Sequence, residues 1–234
     1  NYDYLIGEKW QVHLGNTKLY KNIDPQIRDY ITEQQLPEVW HKYKRVQKDW
    51  FHEVDWTAQH KAMQASSTMT RLWILKRCAR DCGAHAVMKR RKERDDDFCP
   101  FCSQEETVEH VYKCRHTSVQ EVWSRSMTEL ELYLQELRTD PNIISQLLAG
   151  LNSWRNNENT APTPMVEDQN HIGWSGFLEG TIGRHWPEEQ QLYKTEDNLA
   201  TSGRKWATLV IRRLWKIAWD LWSNRNLEAH KNDT

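Results

Sequence analysis

The chain predicts a mostly α-helical fold: helical bundles around a small segment rich in cysteine and histidine, with a short hairpin near the start. Three observations carry that reading. Apolar residues recur three and four positions apart over several long stretches, the periodicity of amphipathic helices. Helix-start signals recur, as at Asp24-Pro25 and Asp140-Pro141. Strand-type alternation is confined to the first twenty residues, where Trp10-Gln11-Val12-His13-Leu14 precedes a Gly15-Asn16 turn and a return through Lys18-Leu19-Tyr20.

Taken in order, Asp24-Pro25 starts a helix through Ile27, Tyr30 and Ile31. A second is expected after Pro37, through Val39, Trp40, Tyr43, Val46, Trp50 and Phe51. Asp55-Trp56 opens a single helix over about 57–79, ended by Gly83, and 84–94 reads as a short, very basic helix. A helix over 118–137 puts Val119, Val122, Trp123, Met127, Leu130 and Leu134 on one face. Asp140-Pro141 caps another through Ile144, Leu147, Leu148 and Leu151. Residues 152–170, with Pro162, Pro164 and an Asn-rich run, read as a mobile linker. It separates an N-terminal helical region, 1–151, from a C-terminal one, 171–234, that packs back on the first. That region begins with a turn-rich unit at Gly173-Trp174-Ser175-Gly176 and ends in a long helix over 199–230. At about 100° per residue, Trp206, Val210, Leu214, Ile217 and Leu221 fall together, Ala218 and Trp222 widen the arc, and Lys205, Arg212 and Lys216 lie opposite. So wide an arc is expected to pack against several helices.

Composition bounds the class. With 234 residues there is material for one large domain or two small ones. No run of eighteen apolar residues exists, so no helical membrane span is expected. A start without Met or a signal pattern reads as a piece cut from a longer polypeptide. Five cysteines in a chain that needs no disulfide staples point to a reducing, intracellular setting. Thirteen tryptophans imply cores anchored by indoles.

Cys99, Cys102, His110 and Cys114 form the pattern C-x2-C-x7-H-x3-C. Two thiolates two residues apart wrap one side of an ion, and a helical turn presents His110 and Cys114 at i and i+4 to the other. Three sulfurs and one nitrogen make a closed tetrahedral zinc set with no position left for substrate, so one structural Zn2+ is expected. Its loss should unfold about 70–126. Glu105, Glu106 and Glu109 are placed to accept the second imidazole proton or to oppose basic neighbours. His116 is an alternative ligand. Cys99-Pro100-Phe101-Cys102 also has the letters of a dithiol redox pair, a thiol-disulfide oxidoreductase reading that lacks the strand such a motif follows. Cys78 and Cys82, four apart, are either half of a second metal site or small buried residues.

Between 71 and 94 stand nine basic residues, Arg71, Lys76, Arg77, Arg80, Lys89, Arg90, Arg91, Lys92 and Arg94, against Asp81 and Glu93. This local excess of seven positive charges is a phosphate-binding candidate, for RNA, DNA or both. Trp73 either stacks a base or belongs to the core. Asp95-Asp96-Asp97 is read as an acidic turn neutralising the basic helix rather than a Mg2+ site. No phosphate loop, catalytic triad, zinc-protease helix or deaminase signature occurs, so no enzyme is expected and no small-molecule substrate.

Arg71-Leu72-Trp73-Ile74-Leu75-Lys76, a basic helix, Cys99-Pro100-Phe101-Cys102, then Glu106-Thr107-Val108-Glu109-His110, Cys114 and Val122-Trp123 together resemble the zinc-binding region near the C-terminus of non-LTR retrotransposon reverse transcriptases. Trp222-Ser223-Asn224-Arg225-Asn226 is similar to the W-x-x-R-N close of that region. The resemblance covers about 70–126 specifically and 206–230 loosely. It implies a non-catalytic tail module that holds template RNA or target DNA beside the upstream polymerase domains, in a cytoplasmic ribonucleoprotein, the nucleus or both. Of the family's functional residues only Cys99, Cys102, His110 and Cys114 carry over, as metal ligands. The competing reading is a zinc-stabilised protein-interaction module, with Trp215 and Trp219 facing a partner.

Overall fold

The computed structural model describes residues 12–14, 16–19, 21, 23–42, 46–159, 163–196 and 202–231. Its architecture is α-helical, as expected, and the chain divides into two compact units, 1–51 and 52–234.

In the first unit β1 (Val12–Leu14) pairs antiparallel with β2 (Thr17–Leu19), Val12 opposite Leu19 and Leu14 opposite Thr17, which is the expected hairpin. Helix α1 (Ile23–Lys42) is one rod where two were expected. Pro25 lies in the first turn, where its missing N–H has no intrahelical partner to lose, and Pro37 is carried inside the helix, which goes without one backbone bond there. The stretch expected to remain helical to Phe51 stops at Lys42, and a 3-10 turn follows at Lys48–Glu53.

The second unit starts with Val54 bridged antiparallel to Gly183. Asp55 caps α2 (Trp56–Gln64) by accepting the Ala58 N–H at 2.9 Å. The helix expected over 57–79 breaks at Ala65-Ser66-Ser67, because the Ser67 hydroxyl accepts the Thr70 N–H and starts α3 (Thr68–Cys78). Then come α4 (His85–Arg90), α5 (His110–Lys113), α6 (Thr117–Glu136) and α7 (Pro141–Asn156), with Asp140 capping α7 and Pro141 in its first turn.

The expected linker over 152–170 is mostly helix. Helix α7 runs to Asn156, Asn157 closes it in the left-handed conformation, and Thr163 caps α8 (Pro164–Ile172) with Pro164 in its first turn. Asn157 and Pro164 are helix punctuation rather than linker composition, and Pro162 lies outside the described residues. Where a division was expected at 152–170, the contacts group 52–234 as one unit, with the compact division near residue 51. Helix α9 (Trp174–Phe177) and α10 (His185–Glu196) lead to α11 (Gly203–Ala229).

Helix α11 explains the single unit. Trp206, Val210, Leu214, Ile217 and Leu221 are all buried, and the helix packs against α2, α5, α6 and α10. Six tryptophans, at 123, 174, 186, 206, 215 and 222, are buried anchors. Trp174 reaches the core because α7 carries Gly150: a Cβ there would stand 2.0 Å from the indole.

His185, at the start of α10, sets Nδ1 against the Asp168 carboxylate and Nε2 4.0 Å from Glu188. The Asp168 hydrogen bond raises the imidazole above its ordinary 6.5; burial opposes this, and the charges of Asp168, Glu188 and Glu53 add to it. A raised folded value stabilises fully below about pH 6.5 and stops contributing as pH rises through the folded pKa. His185→Gln is therefore expected to lower the melting temperature near pH 6 and to converge with the parent near pH 9. A deficit of equal size at both pH values would show that the imidazolium charge is not what Asp168 holds.

Candidate metal centre and its buried arginine clamps

Residues 97–106 fold back on themselves as a two-stranded knuckle. The Glu106 N–H donates to the Asp97 carbonyl at 2.7 Å, the Cys99 N–H to Gln104 at 2.7 Å, and Phe98 bridges Glu105. Ser103 takes the left-handed conformation (φ 59°) to close the turn, its N–H donating to Cys99 at 3.0 Å. Backbone N–H groups of Phe101 and Cys102 point at the Cys99 sulfur. Helix α5 supplies the other half: Thr107 Oγ1 accepts the His110 N–H, and the Cys114 N–H donates to the His110 carbonyl at 2.7 Å.

This places Cys99, Cys102, His110 and Cys114 with their ligand atoms all within 4.8 Å of one another, close enough to hold a metal ion. The Cys99 and Cys114 sulfurs are 3.9 Å apart, and Cys102 Sγ is 3.2 Å from His110 Nε2. Burial pushes the Cys99 thiol up to about 12, raises Cys114 and lowers His110. Each of these shifts favours the neutral form, a preference that a bound cation would invert. The surroundings of Cys99 differ from those of an activated redox thiol. An activated thiol has a depressed pKa, commonly at a helix N-terminus, whereas Cys99 has a raised one in a knuckle.

His116, the alternative ligand, is otherwise engaged: its Nδ1 accepts the Ser118 N–H at the start of α6 and its ring stacks on Phe101 at 4.9 Å. Cys78 and Cys82 join no metal-holding group among the described residues, and Cys82 is buried. Glu109 pairs with Lys113 at 2.8 Å, one of the two roles expected of the nearby acids.

Three buried arginines from three helices grip the segment. Arg225 of α11 forks onto fully buried Glu106, Nε donating to Oε1 at 2.8 Å and Nη2 to Oε2. The Glu106 carboxylate also accepts the His85 N–H at 2.7 Å and faces the His85 ring Nδ1 at 3.7 Å, and the Ala86 N–H donates to the Glu106 carbonyl, so α4 hangs from the same residue. Arg155 of α7 donates to the Tyr112 and Cys114 carbonyls at 2.9 and 3.1 Å, satisfying the open end of α5, and its guanidinium lies over Trp123. Arg77 of α3 lies over the rings of Trp73 and Tyr112, at 5.0 and 4.4 Å. Sequence reasoning gave none of these a clamping role. Arg225 was visible only as part of the Trp222-to-Asn226 motif, and Arg155 carried no signal.

The nine basic residues separate into three groups. Arg77 is fully buried and is removed from the candidate nucleic-acid set, since its guanidinium is spent on aromatic faces inside the core. Lys89 pairs with Asp97 at 2.9 Å, Arg94 with Asp96 at 3.1 Å, Arg90 with Asp81 at 3.9 Å, and Arg91 with Asp81 and Glu93. Asp96 and Asp97 thus act on the basic residues as expected. Arg71, Lys76, Arg80 and Lys92 are exposed and have no ion pair among the described residues. Trp73 is half-buried, edge-on to Trp219 at 5.1 Å, which fits its core reading. No helix among the described residues is long and apolar enough to cross a membrane.

Compared with models of known protein families, with curated proteins and with solved structures, the chain matches none.

Proposed function

We propose that this chain is a non-catalytic module in which one structural zinc ion organises a helical unit that holds RNA or DNA, as a tail piece of a retroelement reverse transcriptase. The observation that carries the reading is the closed Cys3His cluster. Two sulfurs about 2.3 Å from one zinc in a tetrahedron stand about 3.8 Å apart, and Cys99 and Cys114 are at 3.9 Å. Three thiolates select zinc over oxygen-loving cations, and four protein ligands leave no site for a reacting molecule. Zinc on this reading is scaffold. Glu106, Tyr112 and Cys114, in and beside the ligand segment, hold α11, α3 and α7 through the three arginines.

The nucleic-acid part rests on four exposed cations of 71–94 that have no ion pair among the described residues: Arg71, Lys76, Arg80 and Lys92. Contacts of this kind read phosphate rather than sequence. Arg71→Glu with Arg80→Glu is expected to weaken binding of a single-stranded RNA about tenfold and to cut the slope of log affinity against log salt by about 1.4, at about 0.7 per phosphate contact. Arg91→Glu, whose charge Asp81 already neutralises, is expected to do less. Titration by fluorescence anisotropy over a salt series measures both. Affinities that ignore the double reversal would remove this surface from the proposal and leave the zinc scaffold standing.

A further inference from the structure

An apolar groove of about 830 Å3 lies between α3 and α11, away from the metal ligands. Its walls are two helix ridges. Met69, Leu72 with Trp73, and Lys76 are spaced i, i+3/i+4, i+7 on α3; Leu209, Arg212, Lys216 and Trp219 follow the same rhythm on α11. Met69 is 76% exposed, Leu72 52% and Trp219 49%, so the ridges offer water a continuous apolar trough. Contiguous apolar surface of this kind marks an interaction site.

The charge around it is one-sided. Four cations line the groove and no carboxylate does. Arg213 is neutralised by Glu129 at 2.9 Å and Lys216 by Asp220 at 2.6 Å, while Lys76 on one wall and Arg212 on the other have no ion pair among the described residues. We infer that the groove docks an acidic amphipathic helix of a protein partner, apolar anchors down and carboxylates out toward Lys76 and Arg212. The α11 ridge from Leu209 to Trp219 spans about 15 Å, which accommodates about three helical turns of the partner.

The walls favour a helix over nucleic acid. Met69 and Leu72 are aliphatic and interdigitate with leucine-like anchors, but give a base nothing flat to stack on. Trp73, the aromatic of the α3 wall, has its ring covered by Arg77 and meets Trp219 edge-on. A second copy is disfavoured by charge, because self-docking brings cationic rims together. The groove shares Lys76 with the proposed phosphate-binding surface, while Arg71, Arg80 and Lys92 lie outside its lining, so substitutions at Arg71 and Arg80 test that surface without touching the groove.

The test displays random peptides of about 16 residues to the full chain, with counter-selection against Met69→Gln/Leu72→Gln, both exposed and safe for folding. Enriched peptides are expected to be net acidic, with Leu, Ile, Met or Phe at i, i+3/i+4 and i+7. By anisotropy, the best of them should bind the parent about tenfold more tightly than Met69→Gln/Leu72→Gln and about fivefold more tightly than Lys76→Gln/Arg212→Gln. Metal content serves as the folding control. Enrichment without acidic charge or register, or affinity indifferent to both variants, overturns the inference. Loss of oligo(dT) affinity in Met69→Gln/Leu72→Gln with no peptide effect assigns the groove to nucleic acid instead. A dimer of the parent that the same variant disperses assigns it to self-association.

Discussion

Cys99→Ser is expected to abolish metal binding and to unfold residues 52–234. A serine hydroxyl is a far poorer zinc ligand than a thiolate. Structural zinc in small modules is worth about 10–16 kcal/mol of folding free energy, comparable to or above the whole net stability of an ordinary domain, about 5–15 kcal/mol. The sequence alone suggests that only 70–126 would be lost. The structure extends the damage, because Cys99 and Cys114 belong to the same continuous core as α7 and α11, and the Cys114 carbonyl is an Arg155 acceptor. Elemental analysis and circular dichroism read the two halves separately: zinc should fall from one equivalent to none, and the cooperative melt should disappear. A variant that melts like the parent with no metal bound would show that packing alone carries the fold.

Arg225→Leu is expected to cost about 3–5 kcal/mol, because it strands a carboxylate in the core. Glu106 is fully buried, and its carboxylate faces the Arg225 fork, the His85 N–H and, at 3.7 Å, the His85 imidazole Nδ1. Removing the arginine leaves the negative charge with the His85 backbone N–H and the more distant His85 ring. The double variant Arg225→Leu/Glu106→Leu should recover a large part of that loss, since the desolvated charge goes with its partner. Urea unfolding of the parent, both single variants and the double completes the cycle. A single-variant loss below about 1 kcal/mol, or a double no better than the single, would mean that the pair is not desolvated as described.

The metal ligands were legible because their spacing encodes local geometry: two cysteines two apart make a knuckle, and His110 and Cys114 ride one helical turn. The long helices were legible for the same reason, since Val119 to Leu134 and Trp206 to Leu221 keep their period along a continuous rod. What the sequence concealed was tertiary. An arginine reads as surface by composition, yet Arg77, Arg155 and Arg225 are buried because Tyr112, the α5 carbonyls and Glu106 wait for them across the fold. The same blindness inflated the basic patch, since the aspartates that neutralise it partly lie beyond its end. Residues 152–170 looked like a linker because caps such as Asn157 and Thr163 draw on the residue types that linkers use. Ser67 split an expected helix through one side-chain hydrogen bond, which periodicity does not register.

The Glu106–Arg225 fork joins positions 119 residues apart in the chain. At about 5–20 residues per second, a ribosome delivers Arg225 some ten seconds after Glu106. For that interval the thiols and imidazole have emerged while the carboxylate beside them is still without its guanidinium, so early metal capture forms a knuckle whose glutamate stays hydrated at the surface. The core closes last, when α11 arrives. Any fragment ending before α11 is therefore expected to remain an open, metal-loaded intermediate, and completion of the unit is timed by its final helix rather than by the ion.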